Sequence, residues 1–194
     1  MSNWTHVAGV VRVDAIRGLD GMSTDKIRDI LGKEVHFDSE TAVWDDYDKY
    51  PEKYLPCGSE GSLHMSIWVN PDTSQIPAYT VSIFGDLRDH DSAMEIVKWF
   101  RTKTFVLDSI SCGVRNACVT ADNEYNGNEM WAYNVDFTHL FIDSNYNFAT
   151  IITDGIGTTV CFKDGSVVDF DKHDDAVRRL NELGYRAGGK DGEI

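Results

Sequence analysis

The sequence predicts an α+β protein. Three observations carry that expectation. Several short segments alternate strictly between apolar and polar residues, as half-buried strands do. Two stretches with helical spacing follow capping residues. The C-terminal third is a series of short strand patterns that closes on a helical one.

The first strand is read from Val7, Val11 and Val13, set among His6, Val10, Arg12 and Asp14. Ser23-Thr24-Asp25 then offers a cap for a short helix from Lys26 to Leu31, and Gly32 ends it. The clearest signal runs from Cys57 to Phe105. Leu63, Met65, Ile67 and Val69 alternate with His64, Ser66, Trp68 and Asn70, so one face of this strand meets a core. The next strand, Tyr79 to Phe84, sets Tyr79, Val81 and Ile83 against Thr80, Ser82 and Phe84. Asn70 to Pro77 holds two prolines and a polar cluster, which makes it a loop between antiparallel strands. Gly85 to Asp91 turns the chain. Ser92 and Glu95 then fit a capping box ahead of a helix with Met94, Val97 and Trp99 or Phe100 near one stripe. Val114 to Thr120 reads as a further strand after Gly113.

The order is strand, helix, strand, strand, helix, strand. It predicts a ferredoxin-like βαββαβ core over residues 1–121. Residues 122–186 are expected to form a β-rich extension. Its strands fall near Met130–Phe137, Leu140–Asp143, Phe148–Thr153 and Thr158–Phe162. Lys163 to Ser166 is a hairpin turn, and Val167–Phe170 returns from it. A terminal helix spans Asp171 to Leu183, with Gly184 as its stop. Residues 187–194 are a polar tail expected to fray.

Composition narrows the function classes. The apolar share of 42% and aromatic share of 11% place the chain among globular proteins. No apolar run approaches the ~20 residues of a membrane span. Met1 to His6 carries neither a basic stretch nor an apolar run, so no secretory signal is expected. Four cysteines without a C-x-x-C pair point to reduced thiols and a cytoplasmic setting. The net charge of −14 opposes direct nucleic-acid binding, which depends on Lys and Arg. It leaves solubility alone, a basic partner, or divalent cations as its reasons.

Four groups of residues are candidate sites. Residues 38–56 form a long connection, and Trp44, Asp45, Asp46, Tyr47, Asp48, Tyr50 and Glu52 mix acids with aromatics. A bare linker seldom carries so many rings, so this segment is expected to pack and to bind a partner. Asp86, Asp89, His90 and Asp91 place three carboxylates and an imidazole within six residues. They suit Mg²⁺ or Mn²⁺; the simpler reading is a set of acids complementing a helix N-terminus. The turn Cys57-Gly58-Ser59-Glu60-Gly61-Ser62 offers a thiol, with His64 or His90 as a base, and backbone N–H groups for phosphate. No P-loop Lys completes it, and glycine-requiring turns need no ligand. Lastly, His6, Arg12, His64, Ser66, Trp68, Thr80, Ser82 and Phe84 share the sheet face opposite the helices. Aromatics there fit RNA-binding sheets, but the basic complement is missing. Cover by residues 122–186 or by a second copy of the chain, as a homodimer, is the expectation.

The blocks Val7–Asp14 (VAGVVRVD), Gly58–Asn70 (GSEGSLHMSIWVN) and Val81–Asp91 (VSIFGDLRDHD) resemble small uncharacterised bacteriophage proteins. The resemblance spans about the first 120 residues. It implies a viral protein acting in the cytoplasm of a bacterial host, and it transfers no catalytic residue. The expected function is therefore a non-enzymatic, acidic binding protein. Its partner would be basic, such as a host nucleic-acid-binding or defence protein. The alternatives are a metal-dependent enzyme on phosphate esters or nucleotides and a self-associating structural viral component.

Overall fold

In the computed structural model the described residues are 2–15, 22–35, 47–70, 77–111, 113–133, 137–145, 147–154, 156–164 and 166–187. The fold is mixed α+β, and the chain divides into two compact units, Met1–Tyr133 and Asn134–Ile194.

The first unit holds β1 (Trp4–Asp14), α1 (Thr24–Leu31), a 3-10 turn (Pro51–Lys53), β2 (His64–Val69), β3 (Ala78–Arg88), α2 (Ala93–Ile110), β4 (Gly113–Asn123) and β5 (Gly127–Ala132). Its sheet has the order β2-β3-β1-β4-β5, antiparallel throughout. α1 and α2 start as their sequences direct. Ser23 Oγ accepts from the Lys26 N–H, and Ser92 Oγ accepts from the Glu95 N–H.

Alternation decides what the sheet buries. Val7, Val11, Val13, Val81, Ile83, Val119 and Trp131 lie on the helix side and are buried. Phe100 and Phe105 of α2 meet Trp131 edge-on, with centroids 6.1 and 5.8 Å apart. The Arg101 guanidinium, also buried, lies 4.6 Å from the centre of the Phe105 ring. On the opposite face Trp68, Phe84 and Met130 are exposed.

The first unit runs past the boundary expected at Ala121 and Asp122. Asp122 and Asn123 finish β4, and β5 pairs beside it with Val119 opposite Trp131. Asn123 makes the reversal: its Oδ1 accepts from the Tyr125 and Asn126 N–H groups at 3.1 and 2.8 Å. Residues 124–126 thus turn a hairpin within one sheet. Trp131 ties its second strand into the first core.

The second unit contains β6 (Phe137–Ile142), β7 (Phe148–Thr153), β8 (Thr158–Phe162), β9 (Val167–Phe170), α3 (His173–Glu182) and β10 (Arg186–Ala187). Its antiparallel sheet runs β10-β6-β7-β8-β9. Phe141, Ala149, Ile151, Val160, Ala176 and Leu180 form its core. Asp164 closes the β8–β9 turn by accepting from the Ser166 N–H and hydroxyl at 2.9 and 2.6 Å. No described helix is long and apolar enough to cross a membrane.

Candidate functional site

The segment from Tyr47 to Cys57 is anchored from both sides. Lys33 donates its N–H to the Lys53 carbonyl, and Leu55 donates its own to the Lys33 carbonyl, at 2.9 and 2.8 Å. Gly32 permits this approach. It has φ 114°, and a Cβ there would stand 2.4 Å from the Tyr54 carbonyl carbon. Leu55 is fully buried below, and the Tyr47 hydroxyl is hydrogen-bonded to Cys57. The Tyr47 and Tyr54 rings meet at 5.8 Å and 58°. Of the partner-binding candidates, Trp44, Asp45 and Asp46 lie outside the described residues. Tyr47 and Tyr50 are half-buried, and Asp48 and Glu52 are exposed.

The described part of this stretch carries charges of both signs. Asp48 and Glu52 are matched by Lys49 and Lys53, whose ammonium groups stand 5.1 and 3.6 Å from the centre of the Tyr50 ring. Lys103 of α2 also reaches the Glu52 carbonyl at 3.5 Å.

The acidic turn is dispersed by the register of β3. Asp86 is still within the strand and points outward, 2.7 Å from His6 Nδ1. Asp89 has φ 56° and its carboxylate accepts from the Ser59 hydroxyl at 2.6 Å, which holds its pKa below the usual range. His90 faces neither of them. Its carbonyl accepts from the Thr5 hydroxyl at 2.7 Å and from the Asn123 amide at 3.1 Å. The Asp91 carbonyl accepts from the Asn126 amide at 2.9 Å. Among the described residues no three His, Cys, Asp or Glu side chains gather as ion ligands. Thr5 and Asn123 are buried and bonded to each other at 2.8 Å, so this polar knot locks the turn to the sheet end.

The knot delivers His90 to the tyrosine segment. Tyr47, Tyr54 and two prolines form one wall of a cleft of about 300 Å³, and His90, Ile96 and Trp99 form the other. Glu52 and Glu95 add the carboxylates. Burial pushes the His90 pKa down, and its Nδ1 is buried without a hydrogen bond among the described residues.

The glycine turn is committed elsewhere. The Ser59 N–H donates to the Arg88 carbonyl at 2.8 Å and the Gly58 N–H to the Gly61 carbonyl at 3.1 Å, so neither is available to cradle phosphate. A Cβ on Gly58 would stand 2.1 Å from the Arg88 oxygen. Burial raises the Cys57 thiol pKa, Tyr47 is its hydrogen-bond partner, and His64 Nδ1 pairs with Glu34 at 3.3 Å.

The second candidate surface is the outer face of the first sheet. Trp68 is 57% exposed, Phe84 49% and Met130 74%. The His64 ring lies 5.9 Å from that of Phe84. The hydrogen bond to Asp86 raises the His6 pKa, against a small loss of solvation, and Asp86, Glu124 and Asp122 add their charges. Asp86 and Glu124 are themselves exposed.

Sequence reasoning singled out His90 and Tyr47 for different roles and missed that they share a cleft. It did not join Asn123 to Thr5 and His90, because a buried knot between residues so far apart leaves no local pattern. No family model, no curated protein and no solved structure matches this chain.

Proposed function

We propose that this chain is an acidic, non-enzymatic binding protein that engages a basic protein through the open face of its first sheet. One observation carries the reading: Trp68, Phe84 and Met130 stand exposed on the face where Asp86, Asp122 and Glu124 bring carboxylates to His6. Exposed aromatic and Met side chains supply anchors, and neighbouring acids supply steering for Lys and Arg on a partner. The net charge of −14 adds long-range attraction that weakens with salt. Direct nucleic-acid binding is disfavoured by the same charge.

The first unit reads as a ferredoxin-like βαββαβ core lengthened by β5. Its support is the sheet order β2-β3-β1-β4 with a helix between β1 and β2 and another between β3 and β4. The resemblance to bacteriophage proteins supplies the proposed setting, a bacterial host cytoplasm. A host nucleic-acid-binding or defence protein is the proposed partner. Residues 44–52 are a second contact region in this reading, apart from the sheet face.

The test is capture from bacterial lysate at low and high salt by the wild-type chain and by Trp68→Ala and Asp86→Asn variants. A basic protein held by the wild type, released by salt and weakened by both changes is the expected result. A partner held equally by all three, or self-association that Trp68→Ala abolishes, would replace this reading.

A further inference from the structure

We propose that the cleft between residues 47–56 and the start of α2 binds an alkylated ammonium group. The site is separate from the open sheet face and does not depend on it.

Three features of the cleft select this ligand class. The first is its aromatic lining. Tyr47, Tyr54 and Trp99 contribute rings, and the two tyrosines meet at 58°, as a corner rather than a stack. Ring faces attract cations through the quadrupole of the π system. The second is charge. Glu52 and Glu95 are the carboxylates among the described lining residues, and burial lowers the His90 pKa. Among the described residues a cation therefore meets two carboxylates and no lining ammonium or guanidinium. Lys103 approaches from the side, but its ammonium is directed to the Glu52 carbonyl. The third is size. About 300 Å³ lies at the small end of ligand sites and suits a compact head group.

The competing ligand classes fit worse. An anion would face both carboxylates, and the Glu95 N–H at the start of α2 already donates to Ser92 Oγ at 3.2 Å. A divalent metal needs several oxygen ligands in one place, and no such group occurs among the described residues. An alkylated ammonium sheds its weak hydration readily and needs only π faces and a diffuse negative field. Tyr50 shows the same chemistry inside the chain, with the Lys53 ammonium 3.6 Å from its ring centre.

The experiment compares choline with 3,3-dimethylbutan-1-ol, which has the same shape but no charge. Binding is followed by NMR on the Trp99 indole N–H, assigned through Trp99→Phe. Choline is expected to shift that resonance and to bind roughly tenfold more tightly than the neutral isostere. Tyr54→Leu should abolish the shift, and Glu95→Gln should weaken it several-fold while leaving the spectrum of the second unit in place. Trp68→Ala should leave choline binding intact, which separates this site from the sheet face. A peptide carrying trimethyl-lysine, tested beside its unmodified form, sets the source: tighter binding than choline identifies a protein side chain, equal or weaker binding a free amine. Equal affinity for choline and its isostere, or no shift at saturating choline in folded protein, would overturn the proposal.

Discussion

The two faces of the first sheet are built from the same strands and have opposite fates. On the inner face Val11, Val13, Val81 and Ile83 are buried in the core. On the outer face the alternate positions carry His6, His64, Trp68, Ser82 and Phe84, and the large rings remain in water. Alternation creates both faces at once, but only a covering element makes one of them a core. Large apolar side chains left outward by such a sheet therefore carry information about binding that those turned inward do not.

The sharpest way to break this contrast is to excavate the inner face. Phe100→Ala removes a fully buried ring that meets Trp131, and it should cost about 3–5 kcal/mol in urea unfolding. Next comes the polar knot at the end of the sheet. Asn123→Ala leaves Thr5, the His90 carbonyl and the 125–126 turn without their amide partner, and a loss of about 2–3 kcal/mol is expected. Its NMR signature would be movement of the His90 ring resonances, which a purely global destabilisation would not single out.

The outer face should behave differently. Trp68→Ala is expected to change stability by no more than about 0.5 kcal/mol, because its side chain is mostly in solvent. A loss on the scale of Phe100→Ala would show that this ring is structural and would erase the distinction between the faces. The smallest effect concerns His6. Its pKa is raised, so the stabilisation from Asp86 is complete below the ordinary value of 6.5 and is lost as pH rises through the raised value. Asp86→Asn should bring the His6 titration, followed by NMR, down toward 6.5. An unmoved titration would show that Asp122 and Glu124 suffice.

Period-two patterns and caps made the α+β class, the main strands and the helices α1, α2 and α3 legible. Those signals are local: Ser92 sits three residues from the N–H it receives, and Val81 two from Ile83. The continuation of the first sheet through β5 was not legible. It depends on Trp131 packing against Phe100, a contact that no window around residue 131 contains. The cleft was half legible. Four aromatics in residues 44–54 signalled a packed segment, but nothing local pairs Tyr47 with His90 or opposes Lys53 to the acids around it. The spread of the acidic turn has a related reason. Closeness in sequence suggested convergence, whereas a strand end sends successive side chains to opposite faces.

The buried amide of Asn123 has a consequence for how the molecule breathes. It joins the start of β1, the turn after β3 and the β4–β5 hairpin, which lie between 33 and 118 residues apart along the chain. None of the three can fray alone without exposing an unpaired polar group. Their amide protons belong to one opening event and should exchange with deuterium at a common free energy, even though no single secondary-structure element contains them.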